Sequence, residues 1–167
     1  MSKTQDNLAA AFAGESQANR KYLAFAKVAE TEGKANLAKL FRAVAEGETV
    51  HAHNHLNVLG AVKNSVENIK AAIDGETYET ETMYPGFIAD AQTEGEKRAE
   101  ISFAGANKVE MIHKANFSEA LKKAEAGADI EAQEYHVCTV CGNLFSGEVP
   151  EYCPICQAPK EKFIAID

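Results

Sequence analysis

Two short stretches of the chain carry the same pair of residues at the same spacing: Glu48-x-x-His51 and Glu110-x-x-His113. On a helix, the i,i+3 interval sets a carboxylate and an imidazole on one face. Glu15 precedes the first pair and Glu76 the second, with Glu79 one helical turn beyond Glu76. Oxygen and imidazole ligands suit iron or manganese and argue against a metal that prefers thiolate. Nearer the C-terminus, Cys138-x-x-Cys141 and Cys153-x-x-Cys156 form two knuckles. Such paired knuckles read as a tetrahedral four-thiolate site, and their spacing suits structural zinc as well as a single iron.

The elements that must position these residues are long helices. Leu8, Ala11, Phe12, Glu15, Ala18, Tyr22, Phe25 and Ala29 step by three or four, and Gly33 ends the stripe. Leu37, Leu40, Phe41, Val44, Glu48, His51, His55 and Leu59 form a second stripe. Ile69, Ile73, Glu76, Glu79, Met83, Phe87 and Ala91 form a third, ending at Gly95. Phe103, Ala106, Glu110, His113, Phe117, Leu121 and Ala124 form the fourth. Four amphipathic stripes of this length predict a four-helix bundle, with helices over about 4–33, 34–61, 65–95 and 97–126. Pro85 lies inside the third and must cost it a hydrogen bond and kink it.

Glutamate occupies the middle of every stripe, where apolar residues belong. Five uncompensated carboxylates cannot be buried together, because each costs several kcal/mol. Too few Lys or Arg share the stripes to pair with them, so metal cations are the natural compensation. His53 points away from His51 and is expected in solvent. His55 lies one turn after His51 and could pair with it on a metal, but Glu48 already supplies the better partner, and His136 is expected at the surface.

The two halves of the helical region repeat. Tyr22, Phe25, Phe41, Glu48 and His51 recur 62 residues later as Tyr84, Phe87, Phe103, Glu110 and His113. Gly14-Glu15 recurs as Gly75-Glu76, an offset of 61. The second half therefore has one extra residue between Glu76 and Tyr84. Inside a helix, one extra residue predicts a π-bulge, a feature frequent at functional sites.

Composition divides the chain. All four cysteines and three of the four prolines lie beyond residue 134. This predicts a helical domain over 1–134 and a small metal module over 135–167, joined near Gly127–Glu134. The net charge of −8 and the lack of a basic stripe exclude a nucleic-acid partner. The longest apolar run, Leu8–Ala13, is far short of the ~18 residues of a membrane span. The polar start is unlike a secretory leader, so a cytoplasmic location is expected, where disulfides are rare.

The order Glu, Glu-x-x-His, Glu, Glu-x-x-His along four helices resembles that of ferritin-like di-iron proteins. Cys141-Gly142 and Cys153-Pro154-Ile155-Cys156 resemble rubredoxin. Gly14-Glu15-Ser16-Gln17-Ala18, Glu76-x-x-Glu79 and Met83-Tyr84-Pro85 resemble motifs of the rubrerythrins, and the likeness covers nearly the whole chain. The resemblance implies an all-α, ferritin-like four-helix bundle followed by a rubredoxin-like domain of short β-strands and knuckles. It also implies an oxo- or hydroxo-bridged pair of irons per chain, plus one iron held by Cys138, Cys141, Cys153 and Cys156, where zinc could substitute. Glu48 and Glu110 would bridge the pair, and Glu76 and His113 would complete one iron. Glu15 and Glu79 would complete the other when oxidised, with His51 replacing Glu79 on reduction. Without the bridge, two ferrous ions and five carboxylates leave net negative charge, and this exchange brings a low-dielectric site to neutrality. Tyr22 and Tyr84 would donate hydrogen bonds to ligand carboxylates.

The expected function is that of a peroxidase of the NADH-peroxidase type, reducing hydrogen peroxide to water in oxidative-stress protection. The four-cysteine iron would relay electrons singly from an NAD(P)H-dependent, rubredoxin-type reductase, since the chain has no Gly-x-Gly-x-x-Gly nucleotide loop. The alternatives are ferritin-like iron oxidation and storage, and a metal-binding module with a structural zinc ribbon. A homodimer is also expected. In a ferritin-like bundle the link between second and third helices must cross about 34 Å, judged from helical rise. Residues 61–64 reach at most about 14 Å. The chain would then run from the second helix straight into the third and exchange hairpins with a second copy.

Overall fold

A computed structural model describes residues 2–166. Helix α1 (Lys3–Thr31) starts at Ser2, whose hydroxyl accepts the Gln5 N–H while the Gln5 side chain accepts the Ser2 N–H. It ends at Gly33, which takes φ +72 while the Lys34 N–H reaches the Ala29 carbonyl at 2.8 Å. Helix α2 (Ala35–Val58) packs back along α1. Between them the two helices bury Ala26, Ala29 and Ala38, with Phe41 packed against them. The Asn19 amide then fixes the register of the pair. Its Nδ2 donates to the Ala45 carbonyl at 2.7 Å and lies 2.8 Å from Thr49 Oγ1, one turn from the expected ligands.

Helix α2 stops at Val58, short of the expected 61, and Gly60 has φ +64. Helix α3 (Ser65–Tyr78) begins afresh at Asn64, whose side chain accepts the Glu67 N–H at 3.0 Å. The straight run from second helix to third is therefore interrupted by a turn and a new cap. A π-helical segment (Glu79–Met83) follows α3, and helix α4 (Tyr84–Glu94) completes the third stripe. The π-segment lies where the second half has its extra residue. The Tyr84 N–H bonds back to the Glu79 carbonyl, and Thr80 Oγ1 donates to the Glu76 carbonyl at 2.8 Å. Pro85 sits in the first turn of α4, just after the π-segment has shifted the hydrogen-bond ladder, which is where a missing N–H costs least. Gly95 then takes φ +75, as Gly33 does, and helix α5 (Lys97–Glu125) follows. A side chain at either turn glycine would meet the left-handed penalty of roughly 1–2 kcal/mol.

The sequence repeat is also a packing repeat. Rings of Tyr22, Phe25 and Phe41 lie 6.2, 6.3 and 5.7 Å apart. Those of Tyr84, Phe87 and Phe103 lie 6.4, 6.4 and 5.5 Å apart.

After α5 the chain forms a small antiparallel sheet. Strand β1 (Tyr135–Cys138) lies between β2 (Leu144–Ser146) and β3 (Phe163–Ile166). Tyr135 stands opposite Ser146 on one side and Ile166 on the other. The Phe145 and Phe163 rings meet edge-on at 5.2 Å. The fold class is thus the expected one: four long helical stretches followed by a small three-stranded module with two cysteine knuckles. By their internal contacts the residues fall into two compact units, Met1–Lys63 and Asn64–Asp167. Among the described residues, no helix is long and apolar enough to cross a membrane.

Candidate metal centres

Each unit assembles one glutamate–histidine group of ligands. In the first, Glu15 comes from α1 and Glu48 and His51 from α2, with ligand atoms all within 4.8 Å of one another. His51 Nδ1 is 2.9 Å from a Glu48 oxygen and 3.9 Å from one of Glu15. In the second, Glu76 comes from α3 and Glu110 and His113 from α5. His113 Nδ1 is 2.7 Å from a Glu110 oxygen and 4.0 Å from one of Glu76. The two groups have nearly the same geometry, as the sequence repeat requires. Each offers two carboxylates and one imidazole nitrogen converging on a common point, a hard donor set that fits iron.

Glu79 does not join the three-residue group of the second unit, but it stands beside it. Burial, and after it the Glu110 charge, raises the Glu79 carboxyl above its ordinary range. The same two causes raise Glu76, with Glu79 adding to them. Crowded carboxylates of this kind call for a cation at their centre. Burial also raises the Tyr84 phenol, followed by the charges of Glu79, Glu110 and Glu76. Tyr84 therefore lies among three of the predicted ligands and keeps its proton. Tyr22 is half-buried in the equivalent aromatic cluster of the first unit. The imidazoles differ in exposure: the His51 side chain is 59% exposed and that of His113 is 28%.

The four cysteines converge in the terminal module. Cys138 Sγ lies 3.7 Å from Cys156 Sγ, and Cys141 Sγ lies 3.6 Å from Cys153 Sγ. A tetrahedron with metal–sulfur bonds of about 2.3 Å has edges of about 3.8 Å, so the sulfurs already stand at the separation a single ion needs. Cys138 and Cys153 are fully buried. Burial opposes ionisation of Cys153, but N–H groups of Cys156 and Ile155, with the Cys141 and Cys156 thiols, bring it down to about 7. Such N–H···S bonds favour the thiolate that a metal binds.

Two residues of the module were not singled out by the motif. Asn143 is buried with its Nδ2 3.8 Å from Cys153 Sγ. Only its place two residues after Cys141 could have pointed to it. His136, expected at the surface, is half-buried in the central strand β1, and its Nδ1 is buried without a partner. Burial along this short strand does not alternate, so a lone histidine gave no means of phasing it. His53 is exposed, as expected.

Comparison with known proteins accords with this geometry. The rubrerythrin family model matches residues 6–121, and the model of the rubrerythrin rubredoxin-like domain matches residues 136–164. The chain is 38% identical to rubrerythrin-2 of Clostridium acetobutylicum, over 97% of this chain and 96% of that protein. It is 36% identical to nigerythrin of Nitratidesulfovibrio vulgaris, over 97% and 86% respectively. The structure of fully reduced, all-ferrous nigerythrin superposes with a TM-score of 0.58 at 34% identity, covering 99% of this chain and 88% of that one. The family implies an oxidoreductase with a di-iron site and a rubredoxin-like four-cysteine iron site. The chain belongs to the rubrerythrin family.

Proposed function

We propose that this protein is a non-haem di-iron peroxidase that reduces hydrogen peroxide to water and protects a cytoplasm against oxidative stress. Electrons come from an NAD(P)H-dependent, rubredoxin-type reductase and pass through the four-cysteine iron. The observation that carries this reading is the presence in one chain of two carboxylate–imidazole groups and a closed four-sulfur site. Reduction of one peroxide takes two electrons and two protons and yields two waters. The iron pair, when bound, supplies both electrons at once, whereas a four-thiolate iron passes them singly. That difference gives a peroxidase a reason to carry a relay. In this reading residues 1–134 form the di-iron domain and 135–167 the relay. Zinc would fit the four-cysteine tetrahedron but would not carry electrons.

Glu15, Glu48, Glu76, Glu79, Glu110, His51 and His113 hold the iron pair. His51 and Glu79 alternate as ligands with redox state. The greater exposure of His51 supports this, since the ligand that comes and goes should be the less confined. So does the position of Glu79 beside the three-residue group rather than in it, on a π-segment that re-aims side chains. The Tyr84 hydroxyl, held protonated by burial and then by its carboxylate neighbours, would donate a hydrogen bond toward them and steady their orientation. Tyr22 plays the same part in the first half.

We further infer a homodimer with exchanged hairpins. Each site would take Glu15, Glu48 and His51 from one chain and Glu76, Glu79, Glu110 and His113 from the other. In support, each unit gathers its own half of the ligand set. Large apolar side chains also stay exposed in both units, including Leu40 and Val44 in the first and Ile101 and Met111 in the second.

Metal analysis of protein produced with ample iron tests the reading. Three irons per chain are expected, with the red colour of a ferric four-thiolate site. In the reduced state Glu79→Ala keeps both irons of the pair, because His51 then holds that position, while Glu48→Ala does not. One metal or fewer per chain, or colourless protein with zinc at both sites, overturns the redox reading.

A further inference from the structure

Among the described residues, Asn143 is the one polar side chain that is buried, at 1% exposure, and it lies against the sulfurs of the terminal module. It touches three of the four cysteines. Its carbonyl accepts the Cys138 N–H at 2.9 Å. Its own N–H donates to the Cys141 sulfur. Its side-chain Nδ2 donates to Cys153 Sγ at 3.8 Å. The two backbone contacts are open to any residue in this turn, whereas the third requires the amide. The amide oxygen, Oδ1, is buried and finds no partner. A small apolar side chain would occupy the space without stranding an oxygen, so packing alone gives no reason for asparagine here.

The direction of the amide supplies a reason. Its N–H dipole points at a sulfur that is a thiolate when metal is bound. One ferric ion with four thiolates carries one net negative charge, and adding an electron makes it two. A fixed N–H dipole stabilises the doubly charged state more than the singly charged one. At this depth solvent and salt screen the effect little.

We propose that Asn143 is a positioning residue that sets the reduction potential of the four-cysteine iron, its side-chain N–H on Cys153 favouring the reduced state. The electron added is the one delivered by the donor, and no bond to iron is made or broken. The inference rests on the proposed reading of this site as redox-active iron.

The test is spectroelectrochemical titration of the full, iron-loaded chain, following the ferric–thiolate charge-transfer bands. Asn143→Leu removes the donor while keeping the side chain's branching and is expected to disfavour the reduced form by about tenfold, which is about 59 mV lower for one electron. Asn143→Asp keeps the shape and, at a pH high enough to ionise a carboxyl that burial and the thiolates push up, loses the donor and adds negative charge, so it should lower the potential further. It also serves if the leucine variant fails to hold iron. A variant that keeps its iron and its bands but titrates at the wild-type potential, or above it, overturns the proposal. A structural role alone would alter iron retention or melting temperature without this ordered pair of shifts. Absence of a reversible one-electron wave in the wild-type protein refutes the iron relay itself, and is thereby distinguished from a failure at Asn143.

Discussion

Cys138→Ser or Cys156→Ser abolishes donor-driven peroxide turnover, while chemically reduced protein still reacts once with hydrogen peroxide at its normal rate. Cys138 is fully buried, with its sulfur 3.7 Å from that of Cys156, so the two share an edge of the sulfur tetrahedron. Serine at either position withdraws a soft ligand and leaves a shorter, protonated hydroxyl in its place. Even outer-sphere changes lower metal-site performance by 10–100-fold, so loss of a ligand should cut steady-state turnover by more than about 100-fold. The glutamate–histidine groups draw on neither cysteine. Steady-state NAD(P)H oxidation with the reductase, set beside anaerobic single-turnover mixing of dithionite-reduced protein, separates the two steps. If single-turnover oxidation disappears while the pair keeps its iron, the division of labour between relay and reaction centre is wrong.

The second large effect is complementation between two inactive chains. Helix α2 runs ten residues beyond Glu48, and Glu76 lies eleven residues into α3. In a ferritin-like bundle built from one chain, the connection would have to cross about 31 Å at 1.5 Å per residue. From Val58 to Ser65 the backbone extends at most about 25 Å. Exchange of hairpins removes the difficulty. A Glu48→Ala chain mixed with a Glu110→Ala chain, unfolded and refolded together, then forms mixed dimers with one doubly broken and one intact site. Random pairing predicts about a quarter of the wild-type di-iron content and activity, from parents that have almost none. Wild-type protein taken through the same cycle fixes the yield. No recovery in the mixture, or a compact iron-bound monomer by light scattering, excludes the exchange.

The helices and ligand groups were legible because helical spacing is a strong and repeated signal. The i,i+3 spacing puts Glu48 and His51 on one helical face, and the structure brings their reactive atoms to 2.9 Å. The change from an offset of 61 to one of 62 marked an extra residue between Glu76 and Tyr84, and the π-segment falls there, at Glu79–Met83. Spacing could not show that Glu79 stands outside the three-residue group, because a π-turn changes side-chain direction without changing residue order. Nor did it show the end of α2 at Val58, which depends on Gly60 adopting a positive φ and Asn64 capping the next helix. The depth of Asn143 and His136 was equally hidden. Burial in a module of three short strands is decided by tertiary packing, and the local pattern there spans too few residues to phase.

Anaerobic stopped-flow mixing of fully reduced, iron-loaded protein with hydrogen peroxide, against the same protein mixed with dioxygen, tests the central claim most directly. The peroxidase reading predicts rapid oxidation of the iron pair by one equivalent of peroxide, with water as the product and a much slower reaction with dioxygen. Oxidation that is faster with dioxygen, or iron that leaves the protein as a mineral core after oxidation, would contradict it.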